Sequence, residues 1–552
     1  MRAVFLICIA IAPCSVLGLW PIPRNLQTGT TLVKLASTFN IKVDIDNPPQ
    51  DLLDAVSQAN TYIQTDKLQR LVVGRGANDS AALGQAPTLP GLTLSLLTSD
   101  APESANCYRS CTAYWDPQRR ILSHSPKRWN VCHSDCKFHS RVVQRLDDLR
   151  IALAPISIVN DIPAFPYRGF MLDTARNFFP VADIKRTLDA MSWVKINMFH
   201  WHVVDSQSFP LDIPAFPEIA SKGAYSSSEI YSAADVQDIV SYAGARGIDV
   251  LVEIDTPGHT AVIASSHPEH IACSQASPWT DFANEPPAGQ LRLASAATTN
   301  FTAQLISSIA KTLPSSLFST GGDELNTNCY AEDAQTQADL AKSGRTLEQA
   351  LNVFTQATHK SLTDLGKTPV VWEEMVLEHT VTLPKDTVVM VWISSQHASS
   401  VAAKNFRIVH APSDYFYLDC GAGEWLGNNP SGNSWCDPFK TWQKSYTFDP
   451  LASLTTAQRS LVLGGQQLLW TEQSSPENVD SIVWPRAASS AEVISLIFWT
   501  GATLPDGTAR NVASALPRLH DLRYRMVRRG VRAIALQPHF CVLRPGVCDL
   551  RS

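Results

Sequence analysis

A chain of 552 residues is longer than one hydrophobic core comfortably serves, so two domains, one of them large, are expected. With 17% charged residues, 45% hydrophobic residues and a formal net charge of −6, it carries neither the basic footprint of a nucleic-acid binder nor an acidic tail. No run of eighteen apolar residues follows the first few turns of sequence, which argues against a membrane partner as well.

Residues 1–18 read as a cleaved secretory signal. Arg2 gives the positive start, Ala3 to Pro13 an apolar run too short to span a bilayer, and Val16 and Gly18 suit a signal peptidase just before Leu19-Trp20-Pro21. The destination is therefore extracellular, whether medium, cell wall or vacuole. Removing Cys8 and Cys14 leaves ten cysteines in an oxidising compartment. Cys541 and Cys548 flank a turn through Leu543-Arg544-Pro545-Gly546 and are paired. Cys420 with Cys436 and Cys273 with Cys329 are the next candidates. Asn78 and Asn300 head the two glycosylation sequons.

Residues 19–160 form an N-terminal region. Its first part alternates apolar runs with turn signals (Thr31 to Phe39, Leu52 to Ile63, Leu68 to Gly74, Leu92 to Leu97) and reads as a small α+β unit. From about 105 to 146 the texture breaks: Cys107, Cys111, Cys132 and Cys136 lie among Arg, Lys, Ser and His with little hydrophobic periodicity. Zinc, disulfides, a local insertion or a shifted reading frame all fit that composition, and irregular packing is the expectation.

From Tyr167 the pattern becomes regular. Eight β-branched runs (Tyr167 to Thr174, Ile196 to Val203, Gly247 to Ile254, Leu317 to Thr320, Pro369 to Trp372, Val388 to Ile393, Arg407 to His410, Leu461 to Leu469) alternate with helical stretches, including Val181 to Trp193, Ala233 to Ala245, Thr302 to Leu313, Leu347 to Leu365 and Val479 to Phe498. That is the signature of an α/β fold, and eight units point to a (β/α)₈ TIM barrel over residues 161–552, with a C-terminal extension. The runs end, in order, on Arg176; His202 and Asp205; Asp255 and His259; Asp323 and Glu324; Trp372 and Glu373; Trp392; Tyr417 and Asp419; Trp470 and Glu472. In such a barrel these ends meet at one face, so residues almost three hundred positions apart converge on one pocket. Aromatic rings with carboxylates and an arginine are what a sugar site requires.

Within that set, Gly321-Gly322-Asp323-Glu324 is the sharpest motif, because two glycines allow a tight turn that delivers two adjacent carboxyls to one cleft. Crowding and burial then raise one member's pKa, as a general acid requires; a helix N-cap is the plain alternative. His200 and His202 share a strand face, which also suits a metal-dependent amidohydrolase barrel, but later strand ends supply no second histidine pair. A hydrogen-bond network around Asp205 and His259 supporting the acid is the better reading. Arg176 is placed for a bidentate contact to sugar hydroxyls, with an ordinary salt bridge as its alternative.

Arg168 to Asn177, His200-Trp201-His202 through Asp205 to Phe209-Pro210, Asp255 to His259, Gly321 to Glu324, and Gly464-Gly465 through Trp470 to Glu472 together resemble the family 20 glycoside hydrolases, most closely the fungal secreted β-N-acetylhexosaminidases. The likeness runs from about Pro163 to Cys548. It is weaker over 19–100, which resembles the family's zincin-like N-terminal domain or a fungal propeptide, and fails over 105–146. The resemblance implies a retaining, substrate-assisted exo-hydrolase acting on terminal β-linked N-acetylglucosamine, and N-acetylgalactosamine, of chitooligosaccharides or glycoconjugates. It implies Glu324 as acid and base, Asp323 as the residue orienting the acetamido group, and Tyr417 as the ligand of its carbonyl oxygen. It assigns Trp372, Trp392 and Trp470 to the walls and Arg176, Asp419 and Glu472 to outer hydroxyls. Asp205 and His259 complete the substrate-binding set; no cofactor or metal is expected, and a homodimer is. A silent carbohydrate-binding relative would have lost Asp323, Glu324 or Tyr417.

Overall fold

The computed structural model describes residues 20–22, 26–69, 71–95, 112–116, 119–123, 144–146, 149–158, 163–496 and 510–550. The N-terminal unit is one mixed sheet. A long central strand, β1 (Leu26–Asp44), pairs in parallel with β2 (Thr88–Ser95) and antiparallel with β6 (Leu149–Ile158). The latter also pairs with β3 (Thr112–Asp116) and β5 (Gln144–Leu146), and β3 forms a hairpin with β4 (Arg119–Ser123). Three pieces of the 105–146 stretch are thus regular strands, which corrects the expectation of irregularity for them. The reason is that sheet pairing supplies backbone hydrogen bonds without any hydrophobic period in the sequence. Its four cysteines, and the signal segment 1–18, lie outside the described residues. The helix Gln50–Thr65 covers the sheet, burying Ile63 against Val33, Leu35, Phe39 and Ile41.

The eight β-branched runs close into a parallel barrel: β7 (Tyr167–Asp173), β8 (Met198–His202), β9 (Asp249–Glu253), β12 (Leu317–Ser319), β13 (Thr368–Trp372), β14 (Val388–Val391), β15 (Arg407–His410) and β16 (Val462–Leu469), with β16 returning to β7. A two-stranded ribbon, β10 (Ile271–Ala272) with β11 (Gln290–Leu291), is inserted after β9. Barrel strands face helices outside and each other inside, so β7 and β8 are buried at every position. The surrounding helices start where their caps are written. Ser232 and Asp235 form a capping box for Ala233–Gly244, and Thr346 and Gln349 one for Leu347–Thr363.

Two helix expectations need correcting. The helix placed at Thr302 begins at Ala296, because Ser295 accepts from the Thr298 amide and caps it six residues earlier. The pattern from Val479 is two helices, Val479–Val483 and Arg486–Leu496, because Pro485 has no N–H for the ladder and forces Trp484 out of helical backbone.

The two units are joined by specific contacts. The Tyr62 hydroxyl accepts from the Trp193 indole at 3.2 Å. Arg529 lies over the Tyr62 ring at 4.1 Å and binds Asp66 at 2.5 Å. The Val73 amide donates to the Leu543 carbonyl in the turn closed by Cys541–Cys548. Cys273–Cys329 and Cys420–Cys436 are bonded too. Among the described residues no helix is long and apolar enough to cross a membrane.

Candidate active site

Every barrel strand delivers side chains to the C-terminal mouth at the parity that the pleat dictates. Asp173, closing β7, uses one oxygen to hold the amides of Ala175 (2.8 Å) and Arg176 (3.2 Å) and the other to take Thr471 beyond β16. That double grip fixes Arg176, whose guanidinium meets Asp205 at 3.0 Å, Glu285 at 3.1 Å and Asp173 at 3.4 Å and sits over the Trp470 ring at 5.0 Å. Burial works against its charge, but the carboxylates outweigh it and hold the guanidinium charged.

The turn after β12 demands glycine. Gly321 has φ +63°, and a Cβ there would lie 1.9 Å from Asp255 Oδ1; at Gly322, φ +99°, it would lie 2.5 Å from Met375 Cγ. The Gly322 amide instead donates to Asp255 at 2.8 Å. Asp323 and Glu324 follow immediately, Glu324 in the left-handed region at φ +55° and His259 likewise at +48°. Non-glycine residues held there cluster at functional sites.

The electrostatics divide the acidic pair. Burial, then the charge of Asp255, pushes Asp323 well above the usual carboxylate range. Burial also raises Asp255, to about 7. Glu324 goes the other way: burial would raise it, but the neighbouring His259 imidazole lowers it. His259 Nε2 lies 3.5 Å from Glu324 and 3.7 Å from Asp323, while its Nδ1 lies 3.2 Å from Asp205. The raised member of the pair is therefore Asp323 rather than Glu324. Asp323 Oδ1 is buried without a hydrogen-bond partner.

A cavity of about 440 Å³ opens between these groups, lined by Arg176, His259, Asp323, Glu324, Trp392, Tyr417, Asp419, Trp470 and Glu472. Trp392 stacks on Tyr417 at 12° and 6.2 Å, and Trp435 meets both edge-on. Burial raises Asp419 to about 7 and Glu472 well above its ordinary value, leaving both able to donate as well as accept.

Two expected binding residues sit elsewhere. Trp372 is 1% exposed, packed between His200 and Trp470 behind the wall. Asp205 has no exposed surface: Arg176, His202 and His259 surround it, so it positions rather than touches a ligand. The lining also contains Trp279, Asn284 and Glu285 from the β10–β11 insertion and Trp425 and Trp435 from the loop closed by Cys420–Cys436. Sequence reasoning missed these because they follow no strand end; the only available signal was tryptophan density between paired cysteines. Glu374, one residue past Glu373, was missed too, and it accepts from the Trp392 indole at 2.9 Å.

His202, Glu253 and Asp255 lie close enough to hold an ion, as do Asp255, His259 and Asp323. Both His202 ring nitrogens are already taken, by Glu253 at 2.6 Å and Asp205 at 2.8 Å, so the first set has no free imidazole donor.

A closed (β/α)₈ barrel whose mouth gathers a carboxyl pair, an arginine and a wall of aromatic rings defines a carbohydrate-cleaving barrel enzyme. The chain belongs to glycosyl hydrolase family 20: the model of that family's catalytic domain matches residues 165–501. It is 37% identical over 415 residues to a beta-hexosaminidase of Arthroderma benhamiae, covering 72% of this chain and 67% of that one. It is 31% identical to a chitooligosaccharidolytic beta-N-acetylglucosaminidase of Bombyx mori, covering 96% and 89%. A solved exo beta-N-acetylglucosaminidase of the family from Vibrio harveyi, in complex with N-acetylglucosamine, shares the fold with TM-score 0.73 at 21% identity over 94% of this chain and 78% of that one.

Proposed function

We propose that this glycoside hydrolase is an exo-acting β-N-acetylhexosaminidase that removes terminal β-linked N-acetylglucosamine, and N-acetylgalactosamine, with retention, using the substrate's acetamido group as nucleophile. The observation that carries the reading is the buried, unpartnered Asp323 Oδ1 facing an aromatic-walled cavity beside Glu324. The site offers an acceptor for an amide N–H and a proton donor next to it, with no third carboxylate needed as nucleophile. The Arthroderma and Bombyx relatives named above support it.

In this reading the acetamido N–H donates to Asp323, and its carbonyl oxygen, held by the Tyr417 hydroxyl, attacks the anomeric carbon as the glycosidic C–O bond breaks. Glu324 gives its proton to the departing oxygen. The carboxylate so formed then takes a proton from water, whose oxygen attacks the anomeric carbon and opens the oxazolinium ring. Burial raises both Asp323 and Asp255, and the charge of Asp255 raises Asp323 further, which favours a proton shared by the pair; with it on Asp255, Asp323 is the anionic acceptor. Glu324 takes up its proton when a sugar covers it and excludes solvent. Trp392 and Trp470 wall the methyl group and ring, Trp372 backs Trp470, and Arg176, Asp419 and Glu472 bind outer hydroxyls. Secretion behind residues 1–18, glycan on the exposed Asn300 and a homodimer belong to the same proposal.

The test is hydrolysis of nitrophenyl N-acetylglucosaminide and N-acetylgalactosaminide with the product anomer followed by proton NMR. Glu324→Gln is expected to lose about a hundredfold or more on poor leaving groups and less on activated aryl glycosides, whereas Asp323→Asn hurts both alike. Inversion, or full activity on glucosides lacking the acetamido group, overturns the reading. Activity is expected to survive dialysis against chelator.

A further inference from the structure

The interior of this barrel is not filled by aliphatic layers alone. Below the site runs a chain of buried polar side chains. The Tyr167 hydroxyl donates to Gln466 Oε1 at 2.7 Å, and Gln466 Nε2 donates to His200 Nδ1 at 3.1 Å. His200 Nε2 faces Glu253 Oε2 at 3.1 Å. Glu253 Oε1 meets His202 Nδ1 at 2.6 Å, His202 Nε2 meets Asp205 Oδ2 at 2.8 Å, and Asp205 Oδ1 meets His259 Nδ1. Donor chemistry fixes the direction. An amide N–H can only donate, so His200 Nδ1 accepts and its proton sits on Nε2, 3.1 Å from Glu253 Oε2. Glu253 also accepts from Ser319, its register partner across β9 and β12. His202 lies between two buried carboxylates and donates to both. Glu253, His200 and His202 have no exposed surface at all.

Resting on the reading of Glu324 as the acid, we propose that Glu253 and His202 are positioning residues: a second carboxylate–imidazole pair behind Asp205 that holds His202 as a cation and thereby sets the charge and orientation of Asp205 and His259 against Glu324. Carboxylate and imidazole alternate from Glu253 through His202, Asp205 and His259 to Glu324, and a buried carboxylate without a counter-charge is costly. Burial opposes charge on His202, but its bonds to Asp205 and Glu253 raise it to about 9. Burial likewise opposes charge on Glu253, and His200 and His202 hold it well below the usual range. The other charged or titratable groups facing this chain are Arg176 after β7, Asp255 after β9, Asp323 and Glu324 after β12, and Tyr167 within β7.

The consequence is readable in the pH profile. The His202 cation cancels part of the Asp205 charge, so without it the His259–Glu324 pair keeps its proton to higher pH. Glu253→Gln, which removes one of the two carboxylates that hold charge on His202, is expected to move the alkaline limb of kcat upward and to lower kcat about tenfold, one pKa unit's worth, with KM little changed. Glu253→Asp restores part of both. Histidine-selective ¹⁵N NMR on the full chain gives a second readout: one resonance, identified by its loss in His202→Gln, keeps both ring nitrogens protonated up to about pH 9 in the wild type. If Glu253→Gln does not fold, Ser319→Ala removes one donor to Glu253 and shifts the limb in the same sense by less. A His202 that is neutral at pH 7 in the wild type, or a folded variant with wild-type kcat and limb, overturns the proposal. A wild type inactive on 2-acetamido glycosides instead sinks the functional reading, and the NMR resonance still decides this one.

Discussion

Glu374 shows how one side chain can be placed by what it lacks. Burial, and then the charge of Asp323, lift its carboxyl to about 9, so it is neutral where its ordinary value, 4.5, would leave it ionised. A carboxyl raised in the fold contributes stability that is complete below its ordinary value and is lost as pH rises through about 9. Glu374→Gln keeps the acceptor for the Trp392 indole and removes the charge. It is expected to leave the thermal midpoint unchanged near pH 4 and to raise it progressively between pH 5 and 9, by calorimetry. Gly321→Ala is the opposite case: with no room beside Asp255 and φ in the left-handed region, it is expected to cost several kcal/mol, roughly 3 or more, and to abolish soluble enzyme. At this scale the sequence was legible where residues end a β-branched run, which is how Arg176, Asp323, Glu324, Tyr417 and Glu472 were found. Glu253 stands inside such a run, and its place directly after Val250, Leu251 and Val252 was the overlooked sign. Asn284 and Glu285 sit on an irregular insertion, where no period exists to read.

At the scale of elements, all eight barrel strands fall within two residues of where β-branched runs put them, since strands buried on both faces have nothing but apolar composition to encode. The helix ends were less legible because caps and a proline, not periodicity, decide them. The loop bearing Trp425 and Trp435 belongs to neither kind of element and depends on Cys420–Cys436, 16 positions apart. In chain-entropy terms a closure of this size contributes about 3 kcal/mol. Replacing both cysteines by serine is expected to lower the thermal midpoint and to raise KM several-fold with a smaller change in kcat, because Trp435 meets Trp392 and Tyr417 edge-on in the aromatic wall.

For the molecule as a whole, among the described residues the N-terminal unit meets the barrel through charged and aromatic contacts. Asp66 and Arg529 are largely buried on each other, so Arg529→Ala leaves Asp66 without its partner and uncovers Tyr62 and Trp193. A loss of roughly 2–4 kcal/mol is expected by denaturant titration, with kcat retained, since the contact lies far from the mouth. Equal kcat loss in folded protein would show that the sheet supports the site directly. The sheet itself was only partly legible: its apolar runs showed, but the strands between 112 and 146 pair through backbone groups that leave no side-chain pattern.

The filled barrel interior has a kinetic meaning. Tyr167, Gln466, His200 and Glu253 plug the cavity from below, so traffic passes through the mouth alone. The portion of substrate outside the mouth must leave first and the sugar in the cavity last. Release is therefore ordered: the free N-acetyl sugar is expected to inhibit competitively, and the departing alcohol noncompetitively.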